Sequence, residues 1–272
     1  MVSSTVITVL VIMVVIGFAA PLAVGIVWKI KTKQPVTTML IGAGTFFVFA
    51  IVLETLPKLV LFQTNNPVGQ YVMSNPVLMM AIAAALAGIF EETGRLAAYK
   101  LLLKKHRERL TAISYGIGHG GFEVMYLLGI ASTQYIAYAV MINSGEFDAI
   151  LAQVSAAAPE QTAALEAIPQ ALSAVGWSSL VLSLMERVSA MCLHISCSIL
   201  MFKAVNVKGK MWLYPVAVLL HAGVDMFAAL YQGGVITNLY VFEICLLVCS
   251  LVLFGLCLKL VYKKLPVECP SE

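Results

Sequence analysis

Seven apolar windows of roughly 20 residues or more divide this 272-residue chain, and that is the length a helix needs to cross about 30 Å of hydrocarbon. Lipid offers no partner to a backbone N–H or C=O, so such windows fold as helices that satisfy their own hydrogen bonds. They fall near 5–28, 36–62, 76–103, 111–142, 177–202, 211–231 and 239–262. The fold class expected is therefore all-α: a polytopic membrane helix bundle of about seven transmembrane helices, forming one integral membrane domain over 1–272. Composition agrees, with 61% apolar and 11% charged residues against roughly 25% charged for a soluble domain. The fourth window is long enough to tilt or to project beyond the bilayer.

The first window lacks a basic leader and exceeds the length of a signal-peptide core, so it reads as a retained span. Basic residues then set the topology. Lys29, Lys31 and Lys33 follow the first span, Lys104, Lys105, Arg107 and Arg109 the third, Lys203, Lys208 and Lys210 the fifth, and Lys263 and Lys264 the seventh. With Lys100 and Lys259 beside them, 14 of 17 basic residues lie on one face. The positive-inside rule makes that face cytoplasmic, with the N-terminus outside and the C-terminus cytoplasmic. The localisation expected is the cell membrane, multi-pass. The net charge of +3 has no basic patch with interleaved aromatics, so no nucleic-acid partner is expected.

The connection 143–176 carries only acidic charges and places Phe147, Ile150, Leu151 and Val154 at helical spacing, with breaks at Pro159 and Pro169. It reads as short helices on the external surface. All six cysteines lie in the second half without a CxxC pair, which favours packing over disulfides or metal ligation. The tail Cys269-Pro-Ser-Glu272 fits a prenylation box poorly.

Ions inside the spans carry the functional signal, because each is costly in lipid unless paired or wetted. In the third span Glu91 and Arg95 stand i, i+4 and Glu92 and Arg95 i, i+3, so Arg95 can neutralise either acid. Tyr115, His119 and Glu123 follow at i, i+4, i+8 in the fourth, along one helix face. In the fifth, Glu186 and Arg187 lie two turns before His194, with Arg187 and His194 at i, i+7; in the sixth, His221 and Asp225 are i, i+4. Glu91 is 13 residues from Lys104, His119 10 from Arg109, His194 9 from Lys203 and His221 11 from Lys210. At ~1.5 Å per residue all four lie roughly 14 to 20 Å from the inner boundary, in one layer. Glycines 88, 94, 116, 118, 120 and 121 crowd the same layer, where they permit close helix approach or leave room for substrate or water.

Two hydrolytic chemistries fit. In one, His119, His194 and His221 bind a divalent metal, Zn2+ first among candidates, and Glu91 or Glu92 deprotonates its water. In the other there is no metal: a glutamate activates water directly while histidines stabilise the oxyanion or protonate the leaving amine. The chain has no HExxH. The same layer also suits a proton- or ion-coupled transporter, although no internal repeat with interrupted helices is visible, and a non-enzymatic membrane scaffold is a third class. Glu54 with Lys58 reads as a structural pair, and Glu186 with Arg187 as an ion pair supporting the site. No role is evident for Glu243.

The order Glu91-Glu-Thr-Gly-Arg95, Tyr115-Gly-Ile-Gly-His119-Gly-Gly-Phe-Glu123, Glu186-Arg187 leading to His194, and His221-Ala-Gly-Val-Asp225 resembles the YhfC family of intramembrane metalloproteases. It is similar more distantly to the group that includes the CAAX prenyl endopeptidases, the bacteriocin-processing proteases and the PrsW proteases. The resemblance covers roughly 76–231, the expected catalytic core. It implies a membrane endopeptidase acting on a peptide or membrane-protein substrate, with Glu91 or Glu92 activating water and His119 and His221 assisting. Two residues separate the glutamates from Arg95, where the prenyl endopeptidase motif has three. That spacing and Glu123 are closer to the PrsW form.

Overall fold

A computed structural model describes residues 1–157 and 162–269. The expected break at Pro159 and the last three residues of the tail lie outside the described residues. Among the described residues, seven helices are long and apolar enough to cross a membrane: α1 (Ser4–Thr32), α2 (Val36–Leu61), α3 (Pro76–Leu102), α4 (Leu110–Ser144), α5 (Trp177–Asn206), α6 (Leu213–Gln232) and α7 (Leu239–Lys264). Among the described residues the sole β-type contact is one antiparallel bridge, Glu108 with Glu268. The all-α multi-pass expectation holds, with span ends shifted by a few residues.

Several spans are not uniform. In α2 an α-helical stretch, Val36–Phe46, gives way to a wider π stretch, Phe47–Leu53, before Thr55–Leu61 resumes. Pro57 explains the interruption, because it has no N–H for the carbonyl one turn back and its ring crowds that carbonyl. The Glu54 N–H bonds Phe49 O at 3.0 Å, a five-residue step. Similar π stretches follow Ala97 in α3 (Ala98–Leu102) and Val124 in α4 (Met125–Ile130). α3 opens on Pro76, whose missing N–H would be unpaired in a first turn anyway. α4 ends at Gly145, which takes the left-handed φ of 82° that glycine adopts without strain.

The chain divides into two compact units. The first comprises Met1–Leu22 and Val124–Arg187. Val9, Leu10 and Met13 of α1 form its core with Leu128 and Ala139 of α4 and with Phe147, Ile168 and Leu172 of the following connection. A side chain on Gly17 would come within 2.6 Å of the Gly129 backbone nitrogen, so two helix backbones touch here. The expected short helices are Phe147–Ala157, Thr162–Glu166 and Ile168–Ser173, the last with Pro169 in its first turn. Arg187 pairs with Glu186 at 2.8 Å in this unit.

The second unit comprises Ala23–Glu123 and Val188–Glu272. Its core joins Tyr99 of α3 and Leu103 just after it, Ala112 and Tyr115 of α4, Ile195, Ile199 and Phe202 of α5, and Leu213 and Ala217 of α6. Glycines set the spacing of α4: a side chain on Gly118 would strike the Met39 backbone of α2, and one on Gly116 would lie 2.8 Å from Ile195 Cα of α5. Gly88 likewise brings α3 against Val218 O of α6. α5 is the most enclosed span, with 67% of its most apolar window buried, against 17–33% for the others. The expected Glu54–Lys58 pair is present at 2.5 Å.

The C-terminal segment returns to the α3–α4 connection. Arg109 N donates to Val267 O at 3.0 Å and Cys269 N to Arg107 O at 2.9 Å, while Arg109 stacks over the Tyr262 ring at 5.4 Å. Leu265 and Cys269 join the core of the unit. Burial pushes the Cys269 thiol up from its ordinary range.

Candidate active site

All eight residues singled out by the sequence fall in the second unit and belong to one network. α3 supplies Glu91, Glu92 and Arg95, α4 supplies His119 and Glu123, α5 supplies His194, and α6 supplies His221 and Asp225. Seven of them are under 9% exposed, while the Asp225 side chain is 34% exposed. The shared depth inferred from residue counts thus corresponds to direct contact across four helices.

The two adjacent glutamates have different surroundings, as a rotation of about 100° per residue requires. Glu92 has both oxygens engaged: Oε2 accepts from Arg95 Nε at 3.0 Å and Oε1 lies 2.8 Å from His221 Nδ1. A carboxylate so placed accepts from Nδ1–H, and in the neutral ring His221 Nε2 then carries the lone pair. That nitrogen is 3.7 Å from Glu91 Oε2 and 3.5 Å from Asp225 Oδ2. Glu91 Oε2 in turn sits 2.9 Å from His119 Nε2 and 3.9 Å from His194 Nδ1. One carboxylate oxygen therefore stands among three imidazoles.

Aromatic rings close the apolar side. Phe46 meets the His119 ring edge-on at 5.3 Å, and Tyr115 lies 5.8 Å from it. The His119 and His194 rings are 4.9 Å apart, and those of His194 and His221 5.2 Å. The His194 Nε2 and Glu123 Oε2 atoms are in direct contact. Arg95 spreads its guanidinium over Glu92, Ser198, and both the carbonyl and Nδ1 of His194, with the Tyr115 ring 5.6 Å away.

Among the described residues, two sets of ligand atoms lie within 4.8 Å of one another: Glu91, His194 and His221, and Glu92, Cys197 and His221. The histidine triad expected from sequence differs from both, because His119 points Nε2 at Glu91 and its Nδ1 is buried with no hydrogen-bond partner among the described residues. The first set fits a divalent ion by its chemistry. It combines a carboxylate with two imidazoles, each oriented through its far nitrogen by another carboxylate, Glu92 for His221 and Glu123 for His194, as ligating histidines commonly are. Four acids and one arginine also share this buried cluster, a balance that favours a cation.

Sequence reading missed Cys197 and Ser198. The absence of a CxxC pair set the cysteine aside, yet Cys197 and Ser198 stand three and four residues after His194, on its own helix face. The ion pair expected between Glu186 and Arg187 is present, in the first unit.

The model of a family described as YhfC intramembrane metalloprotease matches residues 10–246. The "Uncharacterized membrane protein YhfC" of Bacillus subtilis (strain 168) is 32% identical over 229 residues, covering 84% of this chain and 86% of that protein. No solved structure matches.

Proposed function

We propose, from the premise that this chain belongs to the YhfC intramembrane metalloprotease family, that it is an endopeptidase hydrolysing a peptide bond within or beside the membrane. The observation that carries the reading is the contrast between the two glutamates. Glu92 is saturated by Arg95 and His221, whereas Glu91 Oε2 stands among three imidazole nitrogens. Glu91 is accordingly the general base and Glu92 the group that orients His221.

In the proposed reaction Glu91 takes a proton from water as its oxygen bonds to the scissile carbonyl carbon. The C–N bond then breaks, and the proton passes to the departing amine nitrogen. His119, bonded to Glu91, keeps that carboxylate aimed at the water. Asp225, the most exposed acid of the cluster, faces the substrate side. His194 and His221, with one oxygen of Glu91, would hold a divalent ion such as Zn2+ and leave the other Glu91 oxygen as base; when bound, the ion supplies Lewis-acid polarisation and an acidified water. The substrate is a peptide or membrane-protein segment, and the catalytic layer opens towards the cytoplasm with the N-terminus outside.

Cleavage of membrane peptides by purified protein in liposomes tests the reading, with Glu91→Gln as the inactive control. Turnover that survives in Glu91→Gln removes Glu91 as base. Ion or proton flux without cleavage points instead to the transporter alternative.

A further inference from the structure

Arg95 does more than neutralise an acid. Its Nη1 reaches Ser198 Oγ at 2.5 Å and His194 O at 3.2 Å, and its Nη2 lies 3.3 Å from His194 Nδ1. A guanidinium has donors and no acceptor, so the ring nitrogen facing it presents a lone pair. A neutral imidazole carries one N–H, and here that proton must sit on Nε2, donating to Glu123. A doubly protonated ring would turn a donor towards a donor, which the contact excludes. His221 has the opposite tautomer, with its proton on Nδ1 against Glu92. Arg95 thus fixes one ring directly and the other through Glu92, and both rings turn a lone pair towards Glu91 Oε2.

Ser198 is what aims the guanidinium. Its single hydroxyl proton goes to His194 O at 2.6 Å, which leaves Oγ to accept from Arg95 Nη1. Because Arg95 Nη1 and His194 O belong to one contact and both bond Ser198 Oγ, this side chain locks the arginine to the turn that carries His194. We propose that Ser198 is a positioning residue of this site: by anchoring Arg95 it holds His194 in the Nε2–H tautomer, with Nδ1 directed at Glu91. The inference rests on the peptidase reading for what that orientation serves, and its test is independent of it.

The chain has four histidines, so selective 15N labelling of histidine resolves every ring, with His106 outside the site as internal reference. The full-length protein in detergent should show His194 as the Nε2–H tautomer and His221 as the Nδ1–H tautomer. Ser198→Ala should move the His194 ring signals away from a single Nε2–H pattern and leave His106 unchanged. Ser196→Ala is the matched control: Ser196 is also buried and bonds the carbonyl four residues back, Cys192 O, at 2.7 Å, but does not serve Arg95. It should leave all four rings unchanged. Peptide turnover in Ser198→Ala should fall about tenfold in kcat, the scale of one hydrogen bond to a charged group, with KM little altered. A wild-type His194 protonated on Nδ1, or identical spectra for Ser198→Ala and Ser196→Ala, overturns the inference. Expected tautomers in a protein that cleaves no peptide leave this wiring intact and count against the peptidase alone.

Discussion

Glu92 Oε1 lies 2.8 Å from His221 Nδ1, and the other oxygen of the same carboxylate holds Arg95. Its neighbour Glu91 makes neither contact. Adjacent acids of identical chemistry thus have separate tasks, and the difference is measurable. Glu91→Gln should leave the protein folded and lower peptide turnover by about 10²- to 10⁴-fold, the usual contribution of a general base. Glu92→Gln leaves Arg95 buried without its counter-ion and should lower stability by roughly 3–5 kcal/mol. Turnover and thermal unfolding of the two variants, measured side by side, check the split; equal loss of stability would remove it.

Metal addition should stabilise the wild-type protein. An ion that binds only the folded state contributes about 2.7 kcal/mol at a concentration 100-fold above its Kd. Thermal unfolding of chelator-treated protein should therefore shift upwards with added Zn2+, and elemental analysis should find bound metal. His221→Ala, which deletes a member of both candidate ligand sets, should lose both effects. A shift of equal size in that variant would argue for binding elsewhere.

Glycine substitutions should separate close helix contacts from open positions. A side chain on Gly116 would lie 2.8 Å from the Ile195 backbone, whereas one on Gly223 meets nothing within 4 Å. Gly116→Ala should cost roughly 1–3 kcal/mol through overpacking and displace the helix bearing His119, so turnover falls as well. Gly223→Ala should be neutral or stabilise by up to about 1 kcal/mol, the helix preference of alanine over glycine.

Sidedness is open to labelling. In a background lacking the exposed Cys245 and Cys249, Lys105→Cys should react with a membrane-impermeant maleimide from the cytoplasmic face and Ser144→Cys from the outside. The reverse pattern would invert the proposed topology and turn the catalytic layer outwards.

Much of the fold was legible in the sequence because lipid permits so few solutions. The third span was expected at 76–103 and occupies Pro76–Leu102; apolar length and the need to pair every backbone group leave little else. The π interruption of α2 was visible only as Pro57, whose consequence depends on how the preceding turn relaxes. The polar layer could be counted from cytoplasmic charges, since rise per residue is fixed. Helix rotation could not be counted, and it alone decides that Glu92 rather than Glu91 meets Arg95 Nε and His221 Nδ1. Ser198 was missed for a related reason: a buried serine has a partner only once a neighbouring helix is placed.

The bridge between the α3–α4 connection and the C-terminal segment bears on the order of assembly. Arg109 also reaches Leu265 O, 156 residues later in the chain. The helices carrying Glu91 and His119 emerge early in synthesis, but the strap across their connection exists only after the last helix has been inserted. Ribosome-bound or truncated chains would hold five of the polar site residues on α3 and half of α4 without this clasp, at a stage when such surfaces are open to quality-control recognition. Closure of the second unit waits, on this geometry, on the synthesis of Leu265, Val267 and Cys269.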